Sequence, residues 1–155
     1  LCIFLSACGY HLRGQIELPE QMKAVYLQGA SQPLFEKFAS LLRAGQAELV
    51  DAREKAGVIV KISKDRVTRR TLSLSETGRA TEFEIYYELF YQLETPDGKP
   101  ISDEQRLELS RAYFNDQVDI LGRENEERVI RDELYRQAVQ SMINYARIVV
   151  ENRGK

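Results

Sequence analysis

The sequence predicts an α+β fold in which two helices pack on one face of a mostly antiparallel four-stranded sheet, forming a two-layer sandwich. The chain has 155 residues, of which 43% are hydrophobic and 30% charged, as expected for one domain. Its middle third alternates apolar and polar residues, and helical spacing occurs on both sides of that stretch. The order strand, helix, three strands, helix favours two helices on the same side of the sheet.

The first strand and helix are predicted between residues 23 and 45. Apolar and polar side chains alternate over 23–29 and stop at Gly29, which predicts a short strand. A helix follows from Pro33, because the next apolar residues share one helical face, and Gly45 is placed to end it. Segment 48–50 is expected to add at most a short edge.

Three strands are predicted in the middle of the chain, separated by turns at 76–79 and 96–99. The first begins at Gly57, and its apolar side chains recur at every second residue. Its apolar side chains are expected to share one face: Val58, Val60, Ile62, Leu72 and Leu74. The second has the most regular alternation, and its predicted core face consists of Thr81, Phe83, Ile85, Tyr87, Leu89, Tyr91 and Leu93. The third spans 101–114, and a change of parity predicts a bulge near Ser110.

A long helix is predicted over 123–150. Its apolar residues include a row at four-residue spacing: Ile130, Leu134, Ala138 and Met142. Further apolar residues flank this row, so the stripe is wide enough to cover a sheet. Glutamates near its start suit the positive end of the helix dipole.

The first eight residues resemble the end of a bacterial lipoprotein signal. Residues 5–8 read Leu-Ser-Ala-Cys, the order that a lipoprotein signal peptidase requires. Residues 1–7 are then a cleaved remnant, 8–22 a segment lipidated at Cys8, 23–151 one domain and 152–155 a tail. Gly9 rather than Asp follows the cysteine, which favours the outer membrane. The alternative is a buried first strand of a cytosolic protein.

Composition argues against several functions. There are 22 basic and 24 acidic residues, so the net charge of −2 argues against nucleic-acid binding through the overall field. The only histidine is His11 and the only cysteines are Cys2 and Cys8, which excludes a His/Cys metal cluster. We expect no metal, no cofactor and no catalytic residue. A hydrolase would depend on the glutamates of 82–88, which alternate as an exposed strand face does.

Positive charge is concentrated between residues 61 and 79, where two acids accompany six basic residues: Lys61, Lys64, Arg66, Arg69, Arg70 and Arg79. Guanidinium groups bind phosphate through paired hydrogen bonds, so a phosphorylated ligand is one interpretation. The other is that these residues protect a sheet edge against aggregation. Tyr86 and Phe90 have the parity opposite to the predicted core and are candidates for contact with a partner.

Three short motifs occur in a characteristic order along the chain: Gly-Tyr-His-Leu-Arg-Gly at 9–14, Gly-Arg-Ala-Thr-Glu-Phe at 78–83, and Glu-Asn-Glu at 124–126. Through these motifs the chain resembles the LPS-assembly lipoprotein LptE (RlpB) family of Gram-negative bacteria. It implies a lipid-anchored outer-membrane protein on the periplasmic side, with its domain inside the lumen of the LptD β-barrel. There it would plug the barrel, assist barrel assembly and bind lipopolysaccharide.

The resemblance also bears on the candidate site. The family has a basic residue before Glu-Asn-Glu, and Arg123 occupies that place, whereas the basic residue expected before the hairpin glycine is replaced by Glu76 and Thr77. The candidates for lipopolysaccharide binding are therefore Arg66, Arg69, Arg70, Arg79 and Arg123. The alternative function is a lipid-anchored periplasmic adaptor that binds the cell wall or another envelope protein.

Overall fold

The computed structural model describes residues 18–115 and 120–154, without the side chains of residues 120, 121 and 123. Its strands are β1 (Ala24–Gln28), β2 (Glu48–Leu49), β3 (Val58–Leu74), β4 (Ala80–Glu94) and β5 (Gln105–Phe114). Its helices are α1 (Gln32–Ala44) and α2 (Ile120–Arg153). Both helices therefore lie where the sequence predicts them, and α2 is a few residues longer at each end. Within the described residues, no helix combines the length and apolarity that crossing a membrane requires.

The sheet has five strands in the order β2-β1-β3-β4-β5. β1 runs parallel to both β2 and β3, whereas the pairs β3–β4 and β4–β5 are antiparallel. The α+β class is confirmed, and the long strand pairings are antiparallel as predicted, but the sheet has five strands rather than four and β1 runs parallel to both of its neighbours. β2 has only two residues, too few to show a period, and it is parallel to β1 because helix α1 connects the two.

The two helices and one face of the sheet share a single hydrophobic core. The face of β4 predicted to be buried is confirmed from Ile85 to Leu93, and the apolar row of α2 is buried as well. Each large side chain buried in this way stabilises the fold by about 2 kcal/mol. The opposite face of the sheet carries charged and aromatic residues and is described below.

A bulge in β3 determines which side chains reach the core. The register between β3 and β4 shifts between Ile62 and Lys64, so Asp65 and Val67 follow Ile62 onto the helix side. The predicted bulge near Ser110 is wrong, because β4 and β5 pair without a register shift.

The end of β3 also differs from the prediction. Further shifts near Ser73 interrupt the alternation, and Leu72 and Leu74 are exposed rather than part of the core face. In the neighbouring part of β5, Tyr113 is buried while Phe114 faces away from the core and is 74% exposed. Three large apolar side chains are therefore exposed at this end of the sheet.

Candidate functional site

The face of the sheet turned away from the helices is the candidate site, and we call it the open face. Alternate residues of three strands form it: Lys64, Arg66, Thr68 and Arg70 of β3, Glu84, Tyr86, Glu88 and Phe90 of β4, and Arg106, Glu108 and Ser110 of β5. Cross-strand register places Arg66 beside Glu88, and Arg70 beside Glu84. The open face therefore combines a basic strand, an acidic and aromatic strand, and a strand of mixed charge.

Tyr86 and Phe90 lie on the open face, opposite Tyr87 and Tyr91, as predicted. Cations cover their rings: the guanidinium carbon of Arg70 is 3.7 Å from the Tyr86 ring centroid, and Lys64 Nζ is 5.1 Å from that of Phe90. Arg106 also lies 5.4 Å from the Phe90 centroid. Such contacts hold cations in place through the ring quadrupole. The two rings therefore orient basic side chains, and their role in partner contact stays a prediction.

Glu88 and Glu108 neutralise part of the positive charge on this face. Lys64 Nζ lies 2.5 Å from Glu88 Oε2, and Arg106 Nη2 lies 3.6 Å from Glu88 Oε1. Tyr86 and Arg106 both donate hydrogen bonds to Glu108. These bonds, first that from Tyr86 and then that from Arg106, hold the pKa of Glu108 below its usual value. Lys64 and Arg106 are thereby engaged within the protein.

Arg66, Arg70 and Arg79 remain available to a ligand. All three are exposed, and none forms an ion pair within residues 18–115 and 120–154. Arg66 and Arg70 are four residues apart on one face, so their Cα atoms lie about 13 Å apart. Arg79 follows Gly78 in the turn between β3 and β4.

Arg69 lies on the helix side of the sheet, apart from Arg66 and Arg70. Its Nη1 is 2.9 Å from Glu127 Oε1 of α2, and its guanidinium carbon is 4.7 Å from the Phe83 centroid. The hydroxyl of Tyr113 donates to the same glutamate oxygen. The hydrogen bond to Glu127 raises the pKa of Arg69. Arg69 therefore joins β3 to the start of α2.

Glu127 has two opposing influences on its ionisation. Burial disfavours the charged form, but the hydrogen bonds from Tyr113 and Arg69 outweigh burial and leave its pKa below the usual value. Tyr113 has its pKa raised to about 12 by burial and by this hydrogen bond. Glu127 is therefore a charged anchor between the sheet and α2.

The remaining predicted residues are placed as follows. Arg123 lies in α2, but its side chain is outside the described structure, as are Cys8 and His11 in full. The exposed apolar end of the sheet, with Leu72, Leu74 and Phe114, was not predicted as part of a site, since the first two had the parity of core residues. No group of three or more potential metal ligands occurs among the described residues.

The sequence is similar to those of known lipopolysaccharide-assembly proteins. Residues 22–146 match the family model LptE, described as Lipopolysaccharide-assembly. Over 149 residues the chain is 26% identical to the LPS-assembly lipoprotein LptE of Pectobacterium atrosepticum, covering 92% of this chain and 79% of that protein. The corresponding protein of Photorhabdus laumondii is 23% identical over 158 residues, covering 100% of this chain and 85% of its own length.

Solved structures show the same fold. The solution structure of an uncharacterised lipoprotein B from Nitrosomonas europaea has a TM-score of 0.77 and 26% identity, covering 93% of this chain and 94% of that one. The crystal structure of the rare lipoprotein B from Shewanella oneidensis has a TM-score of 0.69 and 21% identity, covering 85% and 99%.

Proposed function

Because the chain belongs to the LptE family of lipopolysaccharide assembly, we propose that it is an outer-membrane lipoprotein that plugs and stabilises the LptD β-barrel. In this role it assists assembly of the barrel and binds lipopolysaccharide during its passage to the cell surface. The family acts in lipopolysaccharide assembly, and the chain is not an enzyme. Its proposed contribution is therefore to fill the lumen of the barrel and to bind lipopolysaccharide.

The observation that carries lipopolysaccharide binding is that exposed arginines without an ion pair lie near exposed apolar side chains at one end of the sheet. Arg70 and Arg79 flank Leu72 and Leu74 in sequence, and Phe114 lies in the strand beyond β4. Lipopolysaccharide joins phosphate groups to acyl chains, so its two chemical parts match these two kinds of side chain. Arg123 stays a candidate for lipopolysaccharide binding on the family resemblance alone.

The proposed anchor is a lipid on Cys8, with residues 1–7 removed. Each buried CH₂ of an acyl chain contributes about 0.8 kcal/mol to membrane binding, so several chains on one cysteine hold a protein permanently. The anchor would keep the domain on the periplasmic side, beside the barrel that it enters.

Isolation of the chain from outer membranes is expected to bring a β-barrel protein with it. A Cys8→Ser variant should be lost from the membrane fraction, because it lacks the acceptor for lipid. Cys2→Ser is the matched control, since Cys2 lies in the proposed signal remnant and its loss should change neither localisation nor co-isolation. Migration of the detergent-extracted chain apart from any barrel would contradict the proposal.

Charge reversal of the three arginines that form no ion pair is expected to weaken lipopolysaccharide binding at least about tenfold, since a charged hydrogen bond contributes roughly 1.5–3 kcal/mol. The variant is Arg66→Glu, Arg70→Glu and Arg79→Glu in the full chain, and binding is measured by calorimetry with purified lipopolysaccharide. Arg69 is left unchanged, because its ion pair with Glu127 holds α2.

The control for this experiment must change the net charge equally. Arg43, Arg111 and Arg153 are exposed, form no ion pair within the described part of the chain and lie outside the proposed site, so reversing all three is the matched variant. It should retain most of the binding. Equal losses in the two variants would show a general charge effect, and unchanged binding in both would leave the interpretation that the basic residues only protect a sheet edge.

A further inference from the structure

Most of β3 forms an edge of the sheet. The strand has 17 residues, but β1 pairs only with Val58–Lys61 at its start. Gly29 ends β1 and passes close to Ile62, after which the chain leaves the sheet for α1. On the side away from β4, no strand in the described part of the chain pairs with β3 beyond Lys61.

This edge is long enough to receive another strand. Residues 64–71 span about 26 Å in an extended conformation. They pair with β4 from Phe90 to Phe83 without a register shift. In a strand paired on one side, half of the backbone N–H and C=O groups point outward and lack a protein partner. An extended peptide can satisfy them by adding to the sheet.

The side chains along this edge select the charge of the added strand. On the open face they are Lys64, Arg66, Thr68 and Arg70, with no acidic residue among them. On the other side of β3, the fold itself places Glu88 beside Arg66 and Glu84 beside Arg70. Opposite charges across neighbouring strands stabilise pairing, and like charges oppose it. A strand added at the edge would meet the same basic residues and is favoured if acidic.

A second copy of the chain does not fit this edge. Antiparallel pairing of two β3 strands about Thr68 would set Arg66 of one copy against Arg70 of the other, with a like-charge contact on each side. The edge at β5 does not favour an added strand of either charge, because Arg106, Glu108 and Arg111 give it mixed charge. The two edges therefore differ, because the edge of β3 has only basic charges on the open face; its one acidic residue, Asp65, lies on the helix side and accepts a hydrogen bond from the backbone N–H of Ser31.

We infer that the edge of β3 from Lys64 to Thr71 is a docking site for an extended acidic segment of a partner protein, which adds a sixth strand to the sheet. The inference goes beyond the proposed binding of lipopolysaccharide, because it requires backbone hydrogen bonds as well as arginines. The basic residues thus oppose pairing between the β3 strands of two copies, and they favour pairing of β3 with an acidic strand at the same edge.

The test uses the full chain, labelled with ¹⁵N, and a blocked peptide of about nine residues that alternates Thr and Glu. When this peptide is added, we expect the NMR chemical shifts of β3 amides to change and their hydrogen exchange with solvent to become slower. A peptide that alternates Thr and Lys should not bind. Replacing Arg66 and Arg70 with Gln should weaken binding of the acidic peptide at least about fivefold, whereas Lys99→Gln with Arg111→Gln should leave it unchanged.

Two N-methylated peptides separate strand addition from simple charge attraction. One is methylated at the Glu nitrogens and the other at the Thr nitrogens, and both keep all charges. In a strand, alternate N–H groups point to opposite sides, so only one of these peptides should lose binding. Equal binding by both, no binding by the parent peptide, or protection on β5 instead of β3 would overturn the inference. Failure here would leave lipopolysaccharide binding untouched, since that experiment uses no peptide.

Discussion

Replacing Gly29 with alanine is expected to lower the free energy of unfolding by about 3–5 kcal/mol. Gly29 has φ +83°, and a Cβ at this position would lie 2.5 Å from the carbonyl oxygen of Ile62. The left-handed conformation alone costs an alanine about 1–2 kcal/mol. The contact adds to this, because Ile62 is fixed in β3 opposite Tyr91 and cannot move away without disturbing the sheet. Urea unfolding followed by circular dichroism measures the loss.

Gly78→Ala separates the cost of the left-handed backbone conformation from the cost of the contact with Ile62. Gly78 has φ +77°, close to that of Gly29, but a Cβ there would have no atom within 4 Å. Alanine at Gly78 should therefore lose only the conformational part, about 1–2 kcal/mol. Equal losses at the two positions would contradict a role for the contact with Ile62. A larger loss at Gly29 would show that the close approach of Gly29, just after β1, to Ile62 of β3 is rigid where the edge of β3 begins.

Local patterns in the sequence were sufficient to predict the helices and the faces of β4. These elements are long, and each contains several repeats of its period, so one irregular residue does not obscure it. β2 offers two residues and no period. Its pairing with β1 depends on α1 returning the chain to the sheet edge, and that return depends on tertiary packing rather than on local pattern.

In the candidate site too, part of the arrangement follows from the local sequence and part only from tertiary packing. The basic stretch itself is evident in the sequence, but the bulge between Ile62 and Lys64 decides which arginine points to which face. A bulge leaves little trace in composition, so alternation alone separates Arg69 from Arg66 and Arg70 but places each of them on the wrong face of the sheet. The partner of Arg69 is Glu127, 58 residues away in the chain. Only the packed structure brings that pair together.

Alkaline pH is expected to destabilise the fold by about 5 kcal/mol between pH 10 and 12, because several tyrosines are buried in their neutral form. Burial raises the pKa of Tyr91 to about 12, and the nearby Tyr145 adds to this rise. Burial also raises the pKa of Tyr87, with a further contribution from the charge of Asp65. Tyr113 has a pKa of about 12 for the reasons given above.

The sign of this effect follows from proton binding. Each raised pKa lies above the value in the unfolded chain, about 10, so the stabilisation is complete below pH 10. Between pH 10 and 12 the unfolded chain releases protons that the folded chain retains, and the free energy of unfolding falls. For each such tyrosine the fall is at most about 1.4 kcal/mol per pH unit, and it is less steep near pH 10 and pH 12, where the unfolded or the folded tyrosine is only half ionised. Urea unfolding at intervals from pH 8 to 11.5 measures the slope.

Tyr87→Phe provides the decisive comparison. The hydroxyl of Tyr87 is buried close to Asp65 but reaches no partner at hydrogen-bond geometry within the described residues, so its removal should change stability at pH 7 only slightly. At pH 11.5 the variant should be about 2 kcal/mol more stable than the parent, because it has one proton fewer to lose on unfolding. Tyr113→Phe is the contrasting variant, since it also removes a hydrogen bond to Glu127 and should be less stable at neutral pH. Parallel pH curves for the parent and Tyr87→Phe would show that ionisation of this tyrosine is not coupled to unfolding.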